Sequence, residues 1–204
     1  MFGMTSAVLL KADPNAEPEP ILLGGGDTDR VSEIQAKVGG AFDAVRRGAV
    51  DTSGATQSFQ IVGYVHDEGR ILNLPLNPMA TMLFEQNIFG DVVLVSATNP
   101  ETGEADGEDY DIPSAFTQYL IQAMYEEMRE SLAFSKFVSA AIAKAVSDKV
   151  VSNAEAMEFL SWLMQKESEG EAMGRMGDIP EKFIAIIKKS LTHAMDITKE
   201  DEGE

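Results

Sequence analysis

Gly24-Gly-Gly26, followed by Asp27 and Asp29, has the composition of a loop that cradles phosphate. Such a loop also needs a Lys followed by Ser or Thr, and its N–H groups must face an anion instead of neighbouring carboxylates. Those partners are missing and the acids would repel the ligand, so the stretch reads as a turn. The acidic run Glu101 to Asp111 suggests a calcium loop until its register is tested: with Gly107 sixth, Thr102 falls first and Pro113 twelfth, where ligands are required. His66-Asp67-Glu68 could move protons, but beside Gly69 these residues are expected in a solvent-facing hairpin turn. The chain has no Gly-x-Ser-x-Gly and no His-Glu-x-x-His. It has no cysteine, which removes disulfides, thiol catalysis and thiolate zinc sites, and its 2 histidines, His66 and His193, are too few for a typical zinc or non-haem iron site. The residues therefore assign no catalytic, cofactor or metal site.

Charge and apolar side chains are what remain for function. The 204 residues carry 16 basic and 34 acidic side chains, a net charge of −18. This disfavours direct nucleic-acid binding and docking on anionic membranes. Acidity can serve solubility, or carboxylates can imitate phosphates and occupy a basic cleft. The candidates for the second role are Glu101, Glu104, Asp106, Glu108 and Asp109, with Glu126, Glu127 and Glu130 on one helix face; Lys136, Lys144, Lys149, Lys188 and Lys189 interrupt the pattern. The rival binding surface is apolar. Met173 and Met176 lie in a Gly-rich loop with little packing to do, and Trp162 falls off the stripe set by Leu160 and Met164. The apolar surface is the favoured contact, because an acidic Gly-containing loop must be ordered at an entropic cost when it binds.

The elements that would position these groups change near Pro113. Residues 1–113 hold six basic and eighteen acidic side chains and mix strand and helix signals, whereas residues 114–204 hold ten and sixteen and read as helix almost throughout. The expected fold class is α+β: an N-terminal mixed layer (1–113) with a small sheet covered on one face, then an all-helical domain (114–204) of about four helices. In the first part, Ala7–Leu10 and Ile21–Leu23 are short strands, and a helix capped by Asp29 or Ser32 runs through Val38 to Gly39-Gly40. Ala41–Arg46 is a partly exposed strand and Gly48–Ser58 a loop. Phe59–Val65 and Arg70–Leu74 form a hairpin about Gly69, Asn77 and Pro78 open a helix to about Gln86, and Val92–Ser96 is the last strand. In the second part, Phe116, Tyr119, Leu120, Ala123, Met124, Met128 and Leu132 mark one helix and Phe134 to Val146 another. Ser152-Asn-Ala-Glu155 is a capping box for a third helix carrying Met157, Leu160, Leu163 and Met164, and Pro180 opens a fourth, ending in an acidic, frayed tail from Lys199. No secretory signal is expected from the Met1–Leu10 start, which lacks a basic region, and no apolar stretch reaches membrane-spanning length.

Three segments, Glu33-Ile-Gln-Ala-Lys-Val-Gly-Gly-Ala-Phe-Asp-Ala-Val45, Asp67-Glu-Gly-Arg-Ile-Leu-Asn-Leu-Pro-Leu-Asn-Pro-Met-Ala-Thr81 and Gly90-Asp-Val-Val-Leu-Val95, together resemble the family known as domain of unknown function 3846. That family occurs in bacteriophages, particularly of actinobacteria, and in bacterial mobile elements. In it a helix ends in Val-Gly-Gly, a Glu-Gly hairpin leads to Leu-Pro-x-Asn, and a Gly-Asp strand closes the unit. The resemblance covers roughly residues 30–97 and implies a phage accessory context without a mechanism. The motifs themselves fit backbone roles: a helix C-cap at Gly39-Gly40, and a strand exit followed by a capped helix at Leu74–Pro78. The expectation is a small acidic phage-type accessory protein that binds and modulates a host protein without catalysis. It would act in the host cytoplasm, with no cofactor, and self-association would run through the helical half. The alternatives are a DNA mimic that inhibits a host nucleic-acid-binding protein, as in anti-restriction or counter-defence, and an enzyme or nucleotide-binding protein with a pocket between the halves.

Overall fold

The structure, a computed structural model, describes residues 3–50, 59–168 and 179–201. The chain runs through β1 (Thr5–Leu10), β2 (Glu19–Leu23), α1 (Asp27–Val38), β3 (Phe42–Val50), β4 (Phe59–His66), α2 (Pro78–Phe84), β5 (Val92–Thr98), β6 (Ala105–Tyr110), α3 (Ser114–Tyr119), a π-turn (Leu120–Met124), α4 (Tyr125–Ser147), α5 (Asn153–Ser168) and α6 (Glu181–Asp201). It divides into two compact units, Met1–Arg129 and Glu130–Glu204. The fold class is α+β, as expected from the sequence.

The Val92-Val-Leu-Val95 run makes β5 the middle of the first unit. An unbroken β-branched and aliphatic run suits a strand buried on both faces. The sheet order is β2-β1-β5-β4-β3, with β6 also on β5, and each pairing is antiparallel. On one face Val93, Val95, Ala97, Ala7, Leu9 and Val62 pack with Ile34 and Val38 of α1. On the other, Gly63 accepts the ring of Phe84 from α2, where a Cβ would lie 2.6 Å from the ring; Phe59 meets Phe116 edge to face at 5.2 Å. The sheet is thus covered on both faces and not on one, because β4 puts Phe59, Ile61 and Gly63 on one side and Val62 and Tyr64 on the other.

Several boundaries differ from the sequence expectation. α1 starts after Gly26 with no side-chain cap, in place of Asp29 or Ser32. Its end is as expected: Gly39 takes a left-handed φ of 90°, and the N–H groups of Gly39 and Gly40 both reach Gln35 O. β3 runs on to Val50, into the segment expected as loop. Arg70–Leu74 is a turn and not a strand, since both edges of β4 are already taken by β3 and β5. The left-handed residue there is Asn73, at φ 53°, while Gly69 is required by closeness: a Cβ would stand 2.8 Å from Phe89 O.

Asn77 performs the capping role expected of it and two more. Its Oδ1 accepts the Ala80 N–H at 3.0 Å, capping α2, with Pro78 as the first helical residue. Its Nδ2 donates to Leu10 O and to Gly90 O, each at 3.0 Å, and its own N–H reaches Ile88 O at 2.8 Å. The residue is 0% exposed. One amide thereby ties the end of β1, the entry to β5 and the start of α2.

Phe116, Leu120, Met124 and Met128 recur every four residues and are all buried. In a regular α-helix, at about 100° per residue, that spacing drifts round the axis by about 40° per step. The wider π-turn at Leu120–Met124 counters the drift and keeps the four on one face. α4 then continues without a break through Leu132 and Phe134, so the two helices expected there are one. In the second unit the Ser152–Glu155 capping box forms, with Glu155 Oε2 accepting the Ser152 N–H at 2.8 Å and Ser152 Oγ accepting the Glu155 N–H at 3.2 Å. The core of α5 is Ala156 and Phe159, packed with Phe183 and Ile186 of α6. Met157 and Leu160, expected on the buried stripe, are 61% and 43% exposed, because the larger rings take the contact with α6. His193 Nε2 and Lys144 Nζ both lie 2.8 Å from Asp148 Oδ2, joining the end of α4 to α6. α6 extends through Asp201, beyond Lys199 where fraying was expected.

Asn77→Ala should lower unfolding free energy by about 3 kcal/mol, because it removes a cap and strands two buried carbonyls. Urea denaturation monitored by circular dichroism would measure this, and a loss of only about 1 kcal/mol would reduce Asn77 to a cap.

Candidate functional site

The acidic segment expected as a solvated loop is a β-hairpin. Asn99 N–H donates to Glu104 O and Gly103 N–H to Asn99 O, and β6 pairs with β5 through Ser96–Tyr110 and Thr98–Ala105. β6 takes the edge of β5 beyond the point where β1 pairs with it, and it is tied to β1 by Ser6 N–H to Asp111 Oδ1 at 2.6 Å and Ile112 N–H to Ser6 O at 2.9 Å. Asp, Glu and Gly disfavour strands in isolation, but β5 supplies a ready edge that overrides propensity.

This pairing separates the five acidic candidates. Glu101, Glu104 and Glu108 are exposed along the hairpin. Asp106 is also exposed, but its carboxylate accepts from Tyr110 Oη at 2.6 Å, Asn99 Nδ2 at 3.1 Å and the Glu108 N–H at 3.1 Å. The Tyr110 hydroxyl first, then the Asn99 amide and the Glu108 N–H, hold the Asp106 carboxyl below its ordinary value. Asp109 points the other way and is half-buried. It accepts from Tyr64 Oη at 2.8 and 2.9 Å and stands 3.9 Å from the Arg30 guanidinium, whose side chain is 17% exposed. Burial, and then the hydrogen bond to Asp109, push the Tyr64 hydroxyl well above the ordinary tyrosine value, so it stays a donor. Arg30 is held in turn towards Gly24 O, and Glu33 Oε2 accepts the Gly24 N–H at 2.7 Å. A carboxylate of the chain itself thus occupies the donor that a phosphate loop would offer.

The apolar candidates fare differently. Trp162 is half-buried in the helical core, stacked 6.1 Å from Phe159 and tilted against Phe183 at 5.1 Å. Its departure from the expected stripe follows from the stripe being set one residue out of phase. Met173 and Met176 lie outside the described residues. His66 does not face solvent as expected: its side chain is 9% exposed, its Nδ1 accepts the Glu68 N–H at 3.1 Å, and its ring fills the space where Gly40 lacks a Cβ. Asp67 and Glu68 are exposed. The turn after them presents Ile71 and Leu72, 75% and 52% exposed, an apolar tip that sequence reading assigned to a strand. Among the described residues no group of three or more His, Asp or Glu is placed to hold a metal ion, and no helix is long and apolar enough to cross a membrane.

The family profile described as a domain of unknown function, DUF3846, matches residues 4–120. The chain belongs to the DUF3846 family. The family segment is longer than the roughly 30–97 carried by the three motifs: it takes in every strand of the sheet and α3, so Arg30, Tyr64, Asp109 and the acidic hairpin are all parts of the DUF3846 unit. No curated protein matches the chain. Among solved structures, the crystal structure of the small RNA methyltransferase HEN1 is similar, with a TM-score of 0.40 and 17% identity, over 58% of this chain and 16% of that one. The aligned part is thus a small fraction of that enzyme.

Asp109→Ala should destabilise the DUF3846 unit by about 2 kcal/mol, because it leaves the Tyr64 hydroxyl without its acceptor and removes the carboxylate beside Arg30 in partly buried positions. Glu104→Ala should stay within about 0.5 kcal/mol, and thermal melts of the two variants provide the comparison. For Asp106, a carboxyl held below its ordinary value of 3.8 stabilises the hairpin at higher pH, and that contribution disappears as pH falls through the lowered value. The Tyr110 resonances should therefore report a carboxyl transition displaced below the ordinary aspartate range, and in Asp106→Asn that transition should vanish.

Proposed function

We propose that this DUF3846 protein is a small acidic accessory protein, of the phage type its family implies, that binds and modulates a host protein without catalysing a reaction, and that the β5–β6 hairpin is its contact surface. The observation that supports this reading is the order of the acidic segment. Its backbone is paired to β5, and the Asp106–Tyr110–Asn99 bonds lock its interior. The entropic objection to an acidic contact, that a loop must be ordered on binding, therefore loses its force. Trp162, the aromatic anchor of the rival apolar surface, is engaged with Phe159 and Phe183.

A preformed acidic ridge also favours the narrower reading of a DNA mimic directed at a host nucleic-acid-binding protein. Glu101, Glu104 and Glu108 would present carboxylates to a basic cleft, with long-range attraction speeding encounter. The test is a triple variant, Glu101→Gln, Glu104→Gln and Glu108→Gln, which spares Asp106 and Asp109. Affinity capture from a host lysate, read by mass spectrometry, should lose its specific partner with this variant, and also with wild type when salt is raised well above the physiological range, where the Debye length is about 8 Å. Retained capture by a triple variant with an unchanged melt would remove the hairpin as the contact.

A further inference from the structure

The two edges of the sheet are not equivalent. β2 is five residues long and carries Pro20, which has no N–H to offer. β3 is nine residues long, its ladder with β4 is regular from Phe42 through Arg47, and no described strand pairs with its outer side. Asp43, Ala44, Arg46 and Gly48 are exposed. The Ala44 N–H is not donated to β4: it donates to the carboxylate of its neighbour Asp43, at 3.2 Å. Since backbone groups alternate along the regular part of the strand, the amides of Phe42, Ala44 and Arg46 face outward and those of Asp43, Val45 and Arg47 face β4.

We propose that β3 is the interface with a second copy of this chain, paired antiparallel about a twofold axis at Val45, which makes one sheet continuous through the dimer. Two copies related by an axis perpendicular to the sheet can oppose only residues that share a face. Placing the axis at Val45 sets Asp43 opposite the partner's Arg47, and Arg47 opposite the partner's Asp43, with Val45 against its own copy. Shifting the axis to Arg46 or Arg47 sets like charges together, and shifting it to Ala44 puts Asp43 against Val45; like charges directly opposite are unfavourable. The same register makes Ala44 and the partner's Arg46 a hydrogen-bonded pair, so the outward amides find carbonyls and Asp43 is released to its ion pair. It also places the Asp43–Arg47 and Val45–Val45 pairs at non-hydrogen-bonded sites, where side chains approach most closely. Arg47 holds Leu83 O and Glu85 on α2; its guanidinium carries five donors, so a second carboxylate can be added.

The test is charge exchange in the full chain, by sedimentation or light scattering. Wild type should approach twice its 22.1 kDa mass as concentration rises to about 100 μM, the range where weak dimers fill. Asp43→Arg opposes arginines and Arg47→Asp opposes aspartates, so each variant alone should dissociate at least about tenfold more readily. An equimolar mixture should restore the dimer: the arginine introduced by Asp43→Arg then meets the aspartate introduced by Arg47→Asp, and the Arg47 kept in the first variant meets the Asp43 kept in the second. In wild type, the Ala44 and Arg46 amides should gain protection from hydrogen exchange with rising concentration. A wild type that stays monomeric, an Asp43→Arg variant that dimerises as well as wild type, or two folded variants that do not associate would each overturn the proposal. If Arg47→Asp, which gives up its bonds to α2, fails to fold, Asp43→Arg and the exchange measurement decide alone.

Discussion

A buried primary amide must have its donors and acceptor met by protein, because no water reaches it and each unmet group is costly. Asn77 is such a group, and its partners belong to three different elements: Leu10 of β1, Gly90 before β5, and Ala80 in the first turn of α2. The requirement fixes where α2 begins relative to the sheet. That in turn sets Phe84 over Gly63, and the α2-side core is built outward from this contact. No other short polar side chain supplies one acceptor and two donors in that geometry.

The motifs that mark the DUF3846 family become, in the structure, a set of close approaches at one end of the sheet. Gly40 lies under His66, Gly69 under Phe89 O, and Gly90, at φ 84°, under Leu74. Leu76 and Phe89 form a bridge, and the Gly90 N–H reaches Pro75 O. The short lengths between these residues leave little room for a Cβ. The conformity of this chain to the family pattern at these glycines therefore expresses packing at the Asn77 end, while the acidic hairpin lies outside the three motifs.

Charge is used in two ways within one short hairpin. The register of β6 on β5 shifts between Ala105 and Tyr110, where Gly107 has a φ of 95°; on this irregular strand Asp109 serves the interior with Tyr64 and Arg30 whereas Asp106 and Glu108 are exposed. An acidic surface built in this manner is held by an internal ion pair and by its own Asx-type bonds. Its exposed carboxylates are thereby placed without apolar burial of their own.

Signals confined to a few neighbouring residues were legible in the sequence. The Gly39 C-cap, the Asn77-Pro78 helix start, the Ser152–Glu155 capping box, the β5 run, the α+β class and the acidic, cysteine-free composition are each set by local sterics, hydrogen bonding or simple charge count. Features that depend on residues far apart were decided only by the tertiary structure. β6 forms because β5 offers it an edge, Arg70–Leu74 is refused a place because β4 has no edge left, and His66 is drawn inward because Gly40 leaves space. Trp162 is placed by Phe183, 21 positions along the chain, and Asp106, Glu108 and Asp109 are sorted by a strand whose own composition argues against one. Local propensity is worth at most about 1 kcal/mol per residue, whereas completing a sheet edge or filling a buried gap engages many groups at once. That is the physical reason tertiary context overrode the sequence reading at these sites and left it intact at the Gly39, Asn77 and Ser152 caps.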